Sequence, residues 1–220
     1  MAEKFDAYAG SYEALHKASV ASSGEDPSYF HDYKIACLER RALLDGPVLD
    51  YGCGTGNLTM RLVGKAPEVH GYDPSPESRT EAAARSKGAV IHERVEALPQ
   101  NHFETAILSG VLHHVPPAER GAVLSVVRRS LRPGGRIVVF EHNPLNPLTL
   151  RAVKTCAFDD DAILLPPWTA RRTLREAGFT DVALDYIVFF PRQLAFLRRF
   201  EPRLRRVAFG AQQMLVGTHR

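Results

Sequence analysis

The chain has 220 residues and a mass of 24.4 kDa, which is enough for one domain with a full hydrophobic core and short for two. Hydrophobic residues make up 45% of it and charged residues 24%, proportions that exclude disordered and collagen-like proteins. The net charge of +3 is too small to indicate a nucleic-acid-binding surface. We therefore expect a globular protein that does not bind nucleic acid.

The cysteines and the lengths of the apolar runs indicate the cellular compartment of the protein. Cys37, Cys53 and Cys156 are too few and too scattered for a disulfide framework or a zinc site, and their odd number fits reduced thiols. The first residues contain no apolar stretch typical of a signal peptide, and every apolar run is far shorter than a bilayer-spanning helix. We expect a cytoplasmic protein that is neither exported nor embedded in a membrane.

Residues 1–46 are predicted to be helical and to precede the first strand, with a break at 23–27 between two segments. They are expected to form an N-terminal lid or flank.

From residue 47 onward, strand patterns alternate with helix patterns. Strands are predicted at 47–52, 68–75, 89–95, 103–111 and 136–142, and helices at 57–66, 76–87 and 118–131. Thr169 is expected to cap a further helix that ends at Gly178, and two late strands at 180–190 and 211–219 are expected to pair antiparallel. This order predicts an α/β fold with a doubly wound, mostly parallel sheet and helices on both faces.

The longest connection, residues 142–168, follows the fifth strand. Ligands of open parallel sheets bind beyond the carboxyl ends of the strands, so the turns there should converge on one site. A long ordered connection in a compact domain is usually functional, and this insert is expected to face the substrate.

The most informative motif is the glycine-rich turn Asp50-Tyr51-Gly52-Cys53-Gly54-Thr55-Gly56 after the first strand. Its glycines allow the backbone to approach a ligand closely, and Asp73 ends the next strand, where a carboxylate can accept hydrogen bonds from both ribose hydroxyls. The two features together indicate a nucleoside ligand. The spacing Gly-x-Gly-x-Gly lacks the pyrophosphate cradle of a dinucleotide site and disfavours NAD.

Five motifs occur in order over residues 47–142: VLDYGCGTGNLT, GYDPS, VEALP, FETAILSGVLHHV and LRPGGRIVVFEH. With them the chain resembles a class I S-adenosylmethionine-dependent methyltransferase of the ubiquinone/menaquinone-methylase-like group. The resemblance implies a Rossmann-like, seven-stranded sheet whose last strand is antiparallel. Residues 47–220 would be the methyltransferase domain, S-adenosyl-L-methionine the cofactor and S-adenosyl-L-homocysteine the product.

The resemblance also implies a set of cofactor-binding residues. The methionine part would lie against Asp50, Gly52, Cys53 and Gly54, the ribose would bind Asp73, and the adenine would lie near Pro74. Ser109 and Gly110 would line the sulfonium end, and Tyr12 would close over the methionine carboxylate. Similar sequences have an acidic residue at the position of Arg94, so either Glu93 replaces it or the Val95 backbone contacts the adenine edge.

The resemblance does not identify the acceptor, and we expect a small molecule with an oxygen, carbon or nitrogen nucleophile. In-line displacement of the sulfonium methyl depends on alignment and desolvation, and such a nucleophile usually loses a proton to a base. The candidate catalytic residues are His142, which opens the long insert, and His113. His113 and His114 have an alternative as packed structural residues.

Other residues in the insert allow two interpretations. Asp159, Asp160 and Asp161 supply oxygen ligands, but adjacent aspartates point in different directions, so an exposed turn or helix start is favoured and no metal site is predicted. Trp168 and Phe158 either wall an acceptor pocket or pack in the core. Cys53 and Cys156 have no activating partner nearby in sequence and are expected to be buried thiols.

An alternative to methyl transfer is a protein that binds S-adenosylmethionine without transferring the methyl group.

Residues 192–206 allow two interpretations, because six arginines there flank an apolar stripe that contains Leu194 and Leu197. Pro202 is expected to break or kink this segment. The stripe either packs on the sheet, or the segment contacts an anionic or lipid-linked acceptor or an anionic membrane surface.

Overall fold

The computed structural model of the protein describes residues 20–156 and 159–220. Its centre is one seven-stranded sheet. The strands are β1 (Val48–Tyr51), β2 (Val69–Tyr72), β3 (Val90–His92), β4 (Phe103–Ser109), β5 (Leu131–His142), β6 (Phe179–Ile187) and β7 (Gln212–His219).

The strand order across the sheet is β3-β2-β1-β4-β5-β7-β6. Strands β1 to β5 pair parallel with one another, whereas β7 lies antiparallel between β5 and β6. The predicted fold class is therefore confirmed, including the antiparallel last strand. The order reverses at β1, and β1 and β4 lie side by side, which places their carboxyl ends at the point where ligands bind in doubly wound sheets.

Helices cover both faces of the sheet. They are α1 (Pro27–Glu39), α2 (Thr59–Leu62), α3 (Pro76–Arg85), α4 (Arg120–Ser130), α5 (Pro147–Lys154), α6 (Pro167–Glu176) and α7 (Glu201–Leu204). Successive strand residues point to opposite faces, so Leu49 packs in one hydrophobic cluster with Leu124 and Leu174, and Val48 packs in the other with Leu38 and Leu62. Among the described residues, no helix is both long and apolar enough to cross a bilayer.

Two helix predictions were wrong in their bounds. Helix α6 begins at Pro167, so Thr169 lies inside it and does not cap it. Proline is favoured in the first turn of a helix because its missing N–H would have no partner there. The helix predicted over 57–66 is limited to α2, because the backbone leaves helical geometry at Val63 and Gly64 takes a positive φ of 80°.

Residues 192–206 form a 3-10 segment, Arg192–Phe200, followed directly by α7. The 3-10 segment ends at Phe200, and Pro202 lies in the first turn of α7, so the predicted break or kink is a change from 3-10 to α-helix. No residue of the 3-10 segment is buried among the described residues, and Leu194 is 40% exposed. The predicted stripe therefore does not pack fully on the sheet.

Helix α1 carries a lysine on its buried face. Lys34 follows Phe30 and precedes Leu38 by four residues each, so the three side chains share one side of the helix. The Lys34 side chain is buried, and its Nζ donates a hydrogen bond to Ser109 Oγ at 2.8 Å. Burial lowers the pKa of Lys34 to about 8, although Glu141 and Asp50 counteract the shift.

The buried lysine predicts a pH dependence of stability. Between pH 8 and 10.5 the folded chain binds fewer protons at Lys34 than the unfolded chain, so the free energy of unfolding should rise with pH there. Relative to Lys34→Met, wild type should gain on the order of 3 kcal/mol across this window. Urea unfolding of both proteins at several pH values measures the difference.

Lys65→Met, which removes a positive charge from a half-exposed lysine, controls for the change in net charge. Parallel pH curves for wild type and Lys34→Met would contradict the assignment of a buried, cationic Lys34.

Candidate active site

One cavity opens at the carboxyl ends of β1, β2, β4 and β5, and it brings together most of the residues that the sequence singled out. These are Asp50, Gly52, Cys53, Gly54, Asp73, Pro74, Ser109, Gly110, His113 and His142. Val95 does not line this cavity; it lies in the 3-10 turn Val95–Ala97 and packs against the hydrophobic core. Tyr12 lies outside the described residues.

The glycine-rich turn forms the floor at one end of the cavity. Gly52 and Cys53 donate backbone hydrogen bonds to Tyr72 O at 2.7 and 3.0 Å, which ties the turn to the end of β2. Gly52 has a positive φ, and a Cβ there would lie 2.5 Å from the Val111 side chain. A Cβ on Gly54 would meet nothing within 4 Å, so this glycine keeps open the space that a ligand would fill.

Asp73 connects the glycine turn to α3. One carboxylate oxygen accepts a hydrogen bond from Gly54 N at 2.8 Å, and the other accepts one from Ser75 N at 2.9 Å. Ser75 in turn caps α3 by accepting from Ser78 N. The sequence placed Asp73 at the strand end but did not predict that its carboxylate also fixes the turn.

Asp50 contributes a buried carboxylate to the cavity. Its Oδ2 accepts a hydrogen bond from Thr59 Oγ1 at 2.7 Å, whereas its Oδ1 has no hydrogen-bond partner among the described residues. Burial raises the pKa of Asp50 to about 6, although Thr59 and Lys34 oppose the shift. A buried acceptor without a partner is costly, so this oxygen is placed to accept a hydrogen bond from a ligand.

A buried ion pair occupies the other end of the cavity. Glu141 at the end of β5 accepts a hydrogen bond from Leu112 N at 2.8 Å and pairs with His113 Nδ1 at 2.5 Å. Burial alone would lower the pKa of His113, but Glu141 and Asp159 raise it to about 9. His113 is therefore an imidazolium at neutral pH and cannot act there as a base.

Three histidines surround the carboxylate of Asp159. His113 Nε2 and His114 Nε2 lie 3.6 and 3.3 Å from Asp159 Oδ1, and His142 Nε2 lies 3.9 Å from Oδ2. Asp159 is only 6% exposed, so the prediction of an exposed turn is wrong for it and holds for Asp160 and Asp161. The histidines explain its burial, because they hold the pKa of Asp159 well below its usual range against the effect of desolvation.

His142 differs from His113 in its charge. Burial and the neighbouring His113 lower the pKa of His142 to about 4, so the ring is neutral at physiological pH. Its side chain is 29% exposed and lines the cavity. Of the two candidate catalytic histidines, His142 is the one whose nitrogen can accept a proton.

The insert 142–168 supplies Ala152 and Val153 from α5, together with Asp159, to the cavity wall. Trp168 is 64% exposed and does not line it, so neither alternative for this residue was right. Phe158 lies outside the described residues.

Two charged residues in the cavity wall were not singled out from the sequence. Lys34 lines the cavity, and a lysine on the apolar face of a predicted helix was the available signal. For Glu141 the signal was a charged residue in the interior of the otherwise apolar strand predicted at 136–142. Cys37, Cys53 and Cys156 are buried and form no disulfide in the described part of the chain, and burial raises the pKa of Cys53 well above its usual value, as expected for an inert thiol.

Comparison with known proteins relates part of the chain to a protein family. Residues 48–135 match the family described as "Methyltransferase domain". An uncharacterized methyltransferase of Staphylococcus carnosus is 29% identical over 143 residues, which cover 63% of this chain and 66% of that protein. For a similar protein of Geobacillus kaustophilus, the match spans 44% of its length at 34% identity. The chain thus spans between about half and two thirds of these relatives.

A solved structure of an S-adenosylmethionine-dependent methyltransferase of Thermotoga maritima, described as a possible histamine N-methyltransferase, matches over 100% of both chains with a TM-score of 0.71 and 18% identity. At this identity the likeness shows the fold. Residues 48–135 thus match a methyltransferase domain, the matching relatives are described as methyltransferases, and the fold is that of an S-adenosylmethionine-dependent methyltransferase.

Proposed function

We propose that the protein transfers a methyl group from S-adenosyl-L-methionine to a small-molecule acceptor with an oxygen, carbon or nitrogen nucleophile, by in-line displacement. The observation that carries the proposal is the single cavity that joins the glycine-rich turn to the histidines around Asp159. When bound, the cofactor supplies an electrophilic methyl group on a sulfonium. The protein aligns the acceptor with this methyl group, and the apolar wall formed by Phe30, Phe140 and Val153 excludes water from the cavity.

The residues at the glycine-turn end fit this cofactor. The open space over Gly54 allows a ligand to contact the backbone, and the partnerless Asp50 Oδ1 suits the positively charged amino group of a methionine part. Each Asp73 oxygen has two lone pairs, so the carboxylate can bind ribose hydroxyls while it holds Gly54 and Ser75. Pro74, Ser109 and Gly110 would complete this end.

At the opposite end, His142 is the proposed base. It is neutral and borders the cavity, and it is the last residue of β5, where it pairs with Gln212 of β7, so its backbone is fixed by the sheet. His113 is held between Glu141 and Asp159 and would position the acceptor end without exchanging a proton with it. A cytoplasmic location is part of the proposal, and it is supported by three cysteines that form no disulfide among the described residues.

Asp73→Ala should weaken the binding of S-adenosylmethionine at least tenfold. Each charge-assisted hydrogen bond to the ribose contributes about 1.5 to 3 kcal/mol, and the glycine turn would also lose its anchor. Isothermal titration calorimetry measures the dissociation constant. Asp32→Ala, which removes an exposed carboxylate paired with Arg61, is the control. An unchanged affinity in the Asp73 variant would contradict the ribose assignment.

His142→Ala should lower kcat by roughly 10² to 10⁴ while the dissociation constant of S-adenosylmethionine stays unchanged, because general-base catalysis contributes a factor of this size. The assay follows formation of S-adenosyl-L-homocysteine with a panel of hydroxyl, carboxylate and amine acceptors.

His102→Ala, which changes a histidine outside the cavity, should keep the wild-type rate. Wild-type turnover in His142→Ala would refute the base role. Tight cofactor binding without turnover on any acceptor would instead favour a protein that does not transfer the methyl group.

The acceptor is proposed to be anionic or lipid-linked, because an exposed apolar and basic surface accompanies the segment 192–206. Phe196 and Phe209 are 68% and 71% exposed, and Arg192, Arg199, Arg203, Arg205 and Arg206 are exposed as well. Arg198 is only partly exposed, since it pairs with Glu25 and stacks on the Tyr29 ring, and Arg205 and Arg206 lie near Asp185. Exposed aromatics flanked by arginines suit the headgroup region of an anionic membrane.

The protein should sediment with vesicles that contain anionic lipid, and raised ionic strength should release it. The triple variant Arg192→Gln, Arg199→Gln, Arg203→Gln should bind about 100-fold more weakly, since each surface cation contributes about 1 kcal/mol. Trp168→Ser controls for an exposed aromatic on α6. Equal partitioning of wild type with neutral and anionic vesicles would rule out this surface.

A further inference from the structure

The three residues His113, His114 and Asp159 form a cluster at the acceptor end of the cavity, called here the histidine–aspartate cluster. Each offers one ligand atom, and the three atoms lie within 4.8 Å of one another. His113 and Asp159 are buried, and His114 is nearly so. Buried donors that converge on one point are what a metal ion requires, whereas exposed acidic groups commonly converge without one.

The donor spacing fits a first-row transition metal. Bonds of about 2.0 to 2.1 Å to a tetrahedral ion separate two ligand atoms by roughly 3.3 Å. Asp159 Oδ1 lies 3.3 Å from His114 Nε2 and 3.6 Å from His113 Nε2. The same oxygen is buried, has no hydrogen-bond partner among the described residues, and faces both imidazole nitrogens.

Carboxylates face the second nitrogen of both imidazoles. His113 Nδ1 pairs with Glu141 Oε2 at 2.5 Å, and His114 Nδ1 lies 3.6 Å from Asp161 Oδ1. Metal-binding histidines almost always direct their other nitrogen to a carboxylate, a carbonyl or water, which fixes the ring and increases its basicity. Glu141 is itself fixed by Leu112 N.

Charge balance favours a cation in this place. The carboxylates of Glu141 and Asp159 are both buried beside the imidazoles of His113 and His114. A divalent ion held by the histidine–aspartate cluster would offset these two negative charges. Phe140 and Val153 also line the cavity and would shield the ion.

We propose that His113, His114 and Asp159 bind one divalent transition-metal ion at the acceptor end of the cavity. Two imidazoles and one carboxylate select zinc, iron or cobalt over magnesium and calcium, which prefer oxygen ligands alone. Three protein ligands leave coordination positions open, as catalytic metal sites do. An oxygen of the acceptor would occupy one of them beside His142. Only this last role rests on the proposed function; metal binding does not.

Direct metal binding tests the proposal without an acceptor. The full chain is stripped of metal by dialysis against a chelator and titrated with Co²⁺, whose visible absorption reports coordination, and bound Co²⁺ is then displaced with Zn²⁺. We expect one ion per chain. Asp159→Asn and His114→Ala should abolish this binding, and Glu141→Gln should weaken it 10- to 100-fold.

The control is the second group of potential ligands in the described chain, Glu68, His70 and His102. His102→Ala should retain one ion per chain. Circular dichroism and S-adenosylmethionine binding show whether each variant is folded. If a variant of a metal ligand does not fold, the weaker metal binding expected of Glu141→Gln tests the proposal in its place. Absence of Co²⁺ and Zn²⁺ binding in wild type, or its loss in His102→Ala but not in Asp159→Asn, would overturn the proposal. If wild type binds one metal ion but methylates none of the acceptors, the proposed function is contradicted and the proposed metal site is not.

Discussion

Two carboxylates, Glu141 and Asp159, lie inside the protein at one end of the cavity, and the arrangement of that end follows from their need for opposite charge. A buried, unpaired carboxylate would cost several kcal/mol, so imidazoles gather around the pair. The same charges divide the histidines into a cation, His113, and a neutral ring, His142. Burial and pairing thus give neighbouring side chains of one type different chemical roles.

The opposite end of the cavity is governed by hydrogen bonds to the backbone. Asp73 and the carbonyl of Tyr72 hold the glycine-rich turn, so its conformation is set by the end of β2. These hydrogen bonds come from the protein itself and hold the turn in the conformation that a ligand would contact. Asp50 remains the exception, because one of its oxygens still lacks a partner in the described chain.

The sheet could be predicted from the sequence because its buried strands and amphipathic helices have distinct periodicities. The glycine-rich turn could be predicted because its backbone conformation requires glycines at defined positions. Lys34 left a local signal as a charge on an apolar helix face. The burial of Asp159 left none, since it depends on histidines 17 and more residues away in the chain, and neighbouring Asp160 and Asp161 are exposed. The start of α6 was mispredicted because a proline in the first turn outweighed a threonine cap.

The match to the methyltransferase domain ends at residue 135, yet Ala152, Val153 and Asp159 line the cavity from beyond that limit. The glycine-turn end thus lies within the matched stretch, whereas the acceptor end combines His113 and His114 from that stretch with residues beyond it. Changes in length or composition within 142–168 can reshape the space for an acceptor and leave the glycine-rich turn untouched. Such a division allows acceptor specificity to diverge among related chains while the same methyl donor is retained.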